Sequence, residues 1–261
     1  MLVSFRHILR VSGYSRSRSL SYVTPGPHFQ RSGESLSAGT KSEWTMALSD
    51  IPERSQAVLE YWFGPGYAAA DDSFMPRDKM GLWFRGSPEI DQYITEAFGA
   101  DVQKVGEGLY DSWRDGPPLS QLAGIILMDQ FSRNIHRGRP EAFALDSKAL
   151  AWADHAVATG ADRALPAMLR YFVYMPYMHA EDLAAQERGV QLFLAAAEAT
   201  EAAGPDAAGA AGALRMALSY AEAHRDVVAA WGRFPHRNAA LGRVSSPEEL
   251  AGLADGTIKK F

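Results

Sequence analysis

The chain of 261 residues contains no cysteine. That one absence removes disulfides, iron–sulfur ligation, thiolate nucleophiles and cysteine-rich zinc sites, and it leaves the redox compartment unread. Long apolar runs are missing as well. None approaches the roughly eighteen residues that a membrane-spanning helix needs, so a soluble protein is expected. No stretch alternates apolar and polar residues with period two, the pattern of a half-buried strand. Serine-hydrolase and P-loop motifs do not occur, and no pair of histidines has the His-Glu-x-x-His spacing of a helical metal site. His224-Arg225-Asp226 copies the catalytic-loop tripeptide of protein kinases, but Trp231 stands where that loop requires Asn, and no glycine-rich loop or Asp-Phe-Gly triplet accompanies it.

Positive charge is scarce where a nucleic-acid binder would need it. The formal net charge is -5, but residues 1–45 hold six of the 26 Lys and Arg (Arg6, Arg10, Arg16, Arg18, Arg31, Lys41) and only Glu34 and Glu43 of the 31 acids, leaving the body near -9. A body of that sign is a poor polyanion binder, so no nucleic-acid partner is expected and any basic residues that bind must be clustered locally. With 47% hydrophobic and 22% charged residues the composition is that of an ordinary globular domain, able to bury a core.

What is present divides into a leader and a body. Before Glu34 the chain has no acid, five arginines and seven serines. Wound as a helix, Leu2, Phe5, Ile8 and Leu9 share one face and Arg6 and Arg10 another, the pattern of an organelle-targeting presequence. Mitochondrial import is the expectation, with plastid import the alternative and a cytosolic form if translation starts at Met46. A Pro/Gly/Ser linker follows, so 1–45 reads as presequence and linker, and 50–256 as one all-α domain.

From Asp50 the punctuation is helical. Asp50, Pro52 and Glu53 predict a capped start before Val58, Leu59, Trp62 and Phe63, and Gly64 a stop. Ser87 and Pro88 open a second helix carrying Ile90, Ile94, Phe98 and Val102 at intervals of four. The stretch "LSQLAGIILMDQFSRNIHRG" is apolar almost all round in its first half, which predicts a central helix ending at Gly138. Further helices are expected over 147–159, 165–175 (broken by Pro176), 182–200 and 213–231, with an alanine–glycine loop before the last. A short helix with a Ser246/Pro247/Glu249 capping signature closes the series. Helix pairs joined by short turns imply stacked antiparallel hairpins.

Three polar clusters interrupt these apolar helices. In "LMDQFSRNIHRG", Asp129, Arg133 and Arg137 fall at intervals of four on one stripe, with Gln130 and Asn134 beside them. In "YFVYMPYMHAEDLAAQERG", His179 precedes Glu181 and Asp182 at a helix start, where acids also suit the positive end of the helix dipole. In "HRDVVAAWGRFPHRNAALGR", His224, Arg225, Asp226, Arg233, His236, Arg237 and Asn238 crowd around a helix end. Convergence of the three would let Arg133, Arg137, Arg233 and Arg237 clamp an anion, with Gln130, Asn134 and Asn238 orienting it and Asp129, Arg225 and His236 beside them. His179 with Glu181 and His224 with Asp226 are the proton-transfer candidates. His179, Glu181, His224, Asp226 and His236 are also metal-ligand types, but their spacing supports no metal site, and nothing in the chain names a cofactor.

Four blocks, "VLEYWFGP", "LMDQFSRNIHRG", "FVYMPYMHAEDLAAQERGVQLF" and "HRDVVAAWGRFPHRNAALGR", together resemble the signature blocks of the DUF924 family over residues 52 to 256. The resemblance implies a tetratricopeptide-like, right-handed α-α superhelix and a shared polar site, and it supplies no reaction. A site for a small anionic ligand or substrate, enzymatic or not, is the leading functional reading. A helical scaffold that captures an acidic peptide is the alternative, and polar side chains that merely cap helix ends are a third. Oligomeric state is not readable. A chain begun at Met46 is expected to fold and to melt within about 1 °C of the full chain, because residues 1–45 carry no apolar periodicity that packs with the body. Melting curves of the two chains check this, and a markedly lower midpoint for the shorter one would make the leader part of the fold.

Overall fold

The computed structural model describes residues 50–261, so the leader and its targeting pattern lie outside the described residues. Among those described, every regular element is helical. Helices α1 (Glu53–Phe63), α2 (Met80–Phe84) and α3 (Pro88–Gly106) lead to α4 (Pro118–Ile126), which passes through a wide π-turn (Leu127–Phe131) into α5 (Ser132–Ile135). Then come α6 (Asp146–Thr159), α7 (Ala167–His179), α8 (Leu183–Ala202), α9 (Ala208–Trp231) and α10 (Pro247–Asp255), with short 3-10 turns between several of them.

Local signals account for several boundaries. The Ser87 hydroxyl accepts from the N–H of Ile90 at 3.2 Å, and the Asp182 carboxylate accepts from the N–H of Ala185 at 2.8 Å. Ser246 and Glu249 form the reciprocal capping box expected of them. Other boundaries differ from expectation. Helix α1 starts at Glu53 without a side-chain cap. Helix α7 carries Pro176 inside its last turn and still continues to His179. The alanine–glycine run is a break only at Ala203–Ala207; from Ala208 it is already α9, because alanine is the best helix former.

The core forms where apolar faces of α1, α4 and α7 meet. Trp62 lies edge-on to Phe131 at 5.4 Å and to Phe172 at 5.5 Å, and Trp83 packs on Phe172 at 4.8 Å while donating its indole N–H to the Trp62 carbonyl at 2.9 Å. Leu122 to Met128 are fully buried, which is why that helix is apolar on every side. Helices α6 to α9 pack against one another in chain order. A three-residue link makes α7 and α8 antiparallel, and they approach so closely that a Cβ at Gly189 would stand 2.8 Å from the Tyr177 Cβ. A smaller cluster of Val227, Val228, Phe234 and Ile258 fastens the segment after α9 to the end of that helix. Gly232, at φ 68°, makes this possible by closing α9 in the left-handed region and turning the chain back.

The close crossing at Gly189 and the open surface at Gly212 give opposite expectations for one substitution. Gly189→Ala should cost about 1–3 kcal/mol through overpacking against Tyr177. Gly212→Ala, with nothing within 4 Å of the added Cβ, should gain about 0.5–1 kcal/mol by restricting the unfolded chain. Urea denaturation of the two variants decides, and equal effects would mean that the α7–α8 crossing has room for a methyl group.

Candidate functional site

The π-turn governs where the first polar cluster points. In an unbroken α-helix, Asp129, Arg133 and Arg137 would share one stripe; Asp129 and Arg133 stay together across the wide turn, and the helix end at Ile135 takes Arg137 away from them. Asp129 turns fully inward, with no solvent exposure. Its carboxylate accepts from Gln130 Nε2 at 2.6 Å and from His179 Nδ1 at 2.7 Å, and Arg133 approaches to 3.5 Å while donating to the Asp129 carbonyl at 2.6 Å. Asn134 and Arg137 go elsewhere. Both hold Asp91 of α3, the arginine with two bonds of 2.7 and 2.8 Å, in a half-exposed tie between helices.

His179, at the end of α7, is therefore paired with Asp129 and not with Glu181, the partner the sequence suggested. Glu181 accepts from the backbone N–H of Phe234 at 2.7 Å and from both terminal nitrogens of Arg243 at 2.6 and 2.8 Å. It pins the segment after α9 against the α7–α8 turn. Burial pushes the Glu181 carboxyl up, but those donors hold it below the ordinary range. The second proposed pair also separates. His224 donates Nδ1–H to the carbonyl of Tyr220 at 2.7 Å, whereas Asp226 faces solvent and meets only its neighbour Arg225. Residues two apart on a helix point about 200° away from each other, so Asp226 falls on the solvent side and takes Arg225 with it.

The remaining arginines split in the same way. Arg233 makes two bonds to Glu249 at 2.7 and 2.8 Å, and Asn238 bonds Ser245 at 2.9 Å and Glu249 at 3.2 Å, so both serve the start of α10. The capping reading holds for these two. Arg237 differs: only 6% exposed, it has its guanidinium 4.7 Å from the ring of Phe143 and 4.5 Å from that of Phe234, with a single long bond of 3.3 Å to Asp146. Its Nε is buried without a partner. Asp146, the first residue of α6, also accepts from Arg133 at 3.0 Å and so lies between the two arginines.

The electrostatics follow from burial. Desolvation opposes the charge on Asp129, yet His179, Arg133 and Gln130 hold its carboxyl at about 2, so it is ionised. Burial lowers His179 more than Asp129 restores it, which leaves a neutral imidazole whose Nδ1–H is fixed by the carboxylate and whose Nε2 keeps its lone pair. Burial, with further lowering from nearby positive groups, takes His224 to about 3 and His236 to about 4. Asp146 is raised by burial against the pull of Arg133. Arg237 falls to about 10, chiefly by desolvation and then by the like charge of Arg133.

Three of the expected segments thus meet: Asp129, Gln130 and Arg133 from the π-turn, His179 from α7, and His224, His236 and Arg237 from the end of α9 and the turn after it. The rings of His179 and His224 lie 6.3 Å apart, and that of His224 lies 5.6 Å from Phe234. Asp146 and Phe143 join them without having been singled out in the sequence; their only signal is complementarity to Arg133 and to Arg237, the latter 91 residues from Asp146. Among the described residues, no three His, Asp or Glu side chains gather as a metal site would require. No described helix is long and apolar enough to cross a membrane.

The fold and this centre define an all-helical protein built around a buried cluster of charged and imidazole side chains. The chain belongs to the DUF924 family, whose model, described as a bacterial protein of unknown function, matches residues 58–257. It is similar to the solved structure of a protein of unknown function from Agrobacterium tumefaciens, at 33% identity, with 77% of this chain and 97% of that one covered and a TM-score of 0.60. No curated protein matches it.

The lowered histidines make stability depend on pH in a definite direction. Their unfolded values lie near 6.5, so between about pH 6.5 and pH 4 the unfolded chain binds more protons than the folded one, and stability falls as the pH drops. Each of His224 and His236 steepens that slope by at most about 1.4 kcal/mol per pH unit. His224→Asn is expected to flatten the stability slope between pH 6.5 and 5 by nearly one proton, measured by urea denaturation at several pH values. A slope identical to the parent's would mean that His224 titrates normally.

Proposed function

We propose that the cluster is a binding site for a small anionic molecule, with Arg237 and Arg133 as its anion-holding groups and His179, oriented by Asp129, as its proton acceptor. One observation carries this reading: Arg237 is buried with five N–H donors and a single long hydrogen bond. A buried cation left so poorly partnered costs stability, and a planar two-pronged anion offers the acceptors it lacks. A ligand carboxylate or phosphate would compete with Asp146 for both guanidinium groups, and the raised Asp146 carboxyl yields most easily where it is least inclined to ionise. Close by, neutral His179 with a carboxylate behind Nδ1 is an arrangement that takes up a proton at Nε2. His224 stands next to it and supplies a second neutral imidazole.

The chain-order packing of α6 to α9 through short links supports a tetratricopeptide-like superhelix as the finer architecture. We also infer, from the amphipathic and arginine-rich pattern of residues 1–45 alone, import into mitochondria, with plastids as the alternative. Capture of an acidic peptide by the same arginines has less to support it, since Arg137 and Arg233 are each held by a carboxylate of their own.

The test is the melting temperature of the parent and of Arg237→Lys with phosphate, sulfate and small carboxylates at millimolar concentration. Because Arg237 is buried between two rings, the variant should start lower, by about 1–3 kcal/mol. The informative quantity is therefore the shift each anion causes. An anion at ten times its Kd should stabilise the parent by about 1.4 kcal/mol and the lysine variant far less. A parent that no anion protects would return Arg237 to a purely structural role.

A further inference from the structure

One part of the centre is not explained by anion binding. The ring of Phe261 lies flat on the imidazole of His224, with centroids 3.5 Å apart and planes at 21°. Phe234 stands edge-on to both, at 5.6 Å and 81° from His224 and at 6.1 Å and 78° from Phe261. The ring of His236 closes the remaining side, 6.1 Å from Phe261 and 5.6 Å from Phe234. These side chains make a slot for one planar ring, with His224 as its floor.

That floor is fixed in position. His224 is buried and its Nδ1–H is committed to the Tyr220 carbonyl, so the imidazole cannot turn to follow whatever rests on it. It also stays neutral through the physiological range, so it stacks as an uncharged aromatic face. The occupant is held less firmly. Ile258 is buried, with its N–H on the Gly252 carbonyl at 2.9 Å; Lys259, Lys260 and Phe261 make no hydrogen bond among the described residues, and Phe261 is 42% exposed. A segment tied down only by ring contact opens at little cost. Phe234 meanwhile joins the slot to the charged part of the centre, since the guanidinium of Arg237 lies over its ring at 4.5 Å.

We propose that the ligand of this centre carries a planar aromatic ring beside its anionic group, that the ring stacks on His224, and that Phe261 fills the same slot and must leave it for the ligand to enter. This rests on the anion-binding reading for the charged half of the ligand and on ring geometry for the other half. The ring gives selectivity that the arginines alone lack: an anion without a ring would meet Arg237 but leave Phe261 in place. Stacking between aligned rings adds affinity beyond the area it buries, and competition from Phe261 conceals part of that gain in the parent.

The two halves are tested separately in the parent and in Phe261→Ala, with Phe261→Leu as a second variant that keeps apolar bulk but cannot stack. The probes are inorganic phosphate, methyl phosphate, phenyl phosphate and neutral phenol, followed by the imidazole proton signals of His224, assigned by their loss in His224→Asn, and by melting. Expected in Phe261→Ala are binding of phenyl phosphate at least about tenfold tighter than that of methyl phosphate and a His224 shift with phenol alone. Phenyl phosphate should also bind the variant more tightly than the parent, while methyl phosphate binds both alike. Equal affinity for the two esters in both variants, or a His224 signal that no aromatic probe moves, would overturn the proposal. If phosphate protects nothing but phenol still shifts His224, the anion reading falls and the ring slot stands; the converse result removes the ring slot alone.

Discussion

The arrangement of this protein depends on a carboxylate placed where water does not reach. Asp129 sits in the middle of an apolar helix with no exposed surface, and an isolated charge there would be prohibitive. It is tolerated because donors reach it from its own helix (Gln130, Arg133) and from α7 (His179). The requirement acts outward. His179 has to arrive at the end of α7 in register with the π-turn, Arg133 is drawn inward and takes Asp146 with it, and Asp146 in turn meets Arg237 from the far end of the chain. The π-turn is the backbone's contribution, since it carries both Asp129 and the Gln130 amide that donates to it.

Five arginines near the centre show how the same side chain serves opposite ends. Arg137, Arg233 and Arg243 each grip one carboxylate with two bonds at partly exposed positions, ties that contribute little individually but fix α3, α10 and the α7–α8 turn in place. Arg133 is shared between two acids. Arg237 alone is deeply buried with its donors mostly unmet, between two aromatic rings that shield its charge without giving it acceptors. Its one carboxylate contact, to Asp146 at 3.3 Å, is longer than the paired bonds of the other three.

The histidines differ by the same logic. His179 is held by an ionised carboxylate, which orients it and lets it accept a proton, whereas His224 is held by a neutral carbonyl and loses basicity to burial. Two imidazoles 6.3 Å apart thereby have different partners, an ionised carboxylate for one and a neutral carbonyl for the other. Because water is largely excluded around them, each hydrogen bond and each ring contact counts for more than it would at the surface.

Helix positions were largely legible in the sequence, because apolar periodicity, serine and aspartate caps and glycine stops act over a few residues. The all-helical class, the start of α3, the Asp182 and Ser246 caps and the buried stretch from Leu122 to Met128 follow from that local chemistry. The meeting of the three polar segments was legible too, since charged groups on apolar helices must find one another. Which groups pair was not. Neighbouring residues suggested His179 with Glu181 and His224 with Asp226, and the structure joins His179 to Asp129, fifty residues away, and Glu181 to Arg243, sixty-two away. The π-turn leaves no mark in composition, and neither Asp146 nor Phe143 stands out until Arg237 lies against both. Helix formation is decided by nearest neighbours along the chain, so sequence alone determined the elements; pairing among buried charges is decided by which ones the packed helices bring within three ångströms, and only the tertiary structure settled that.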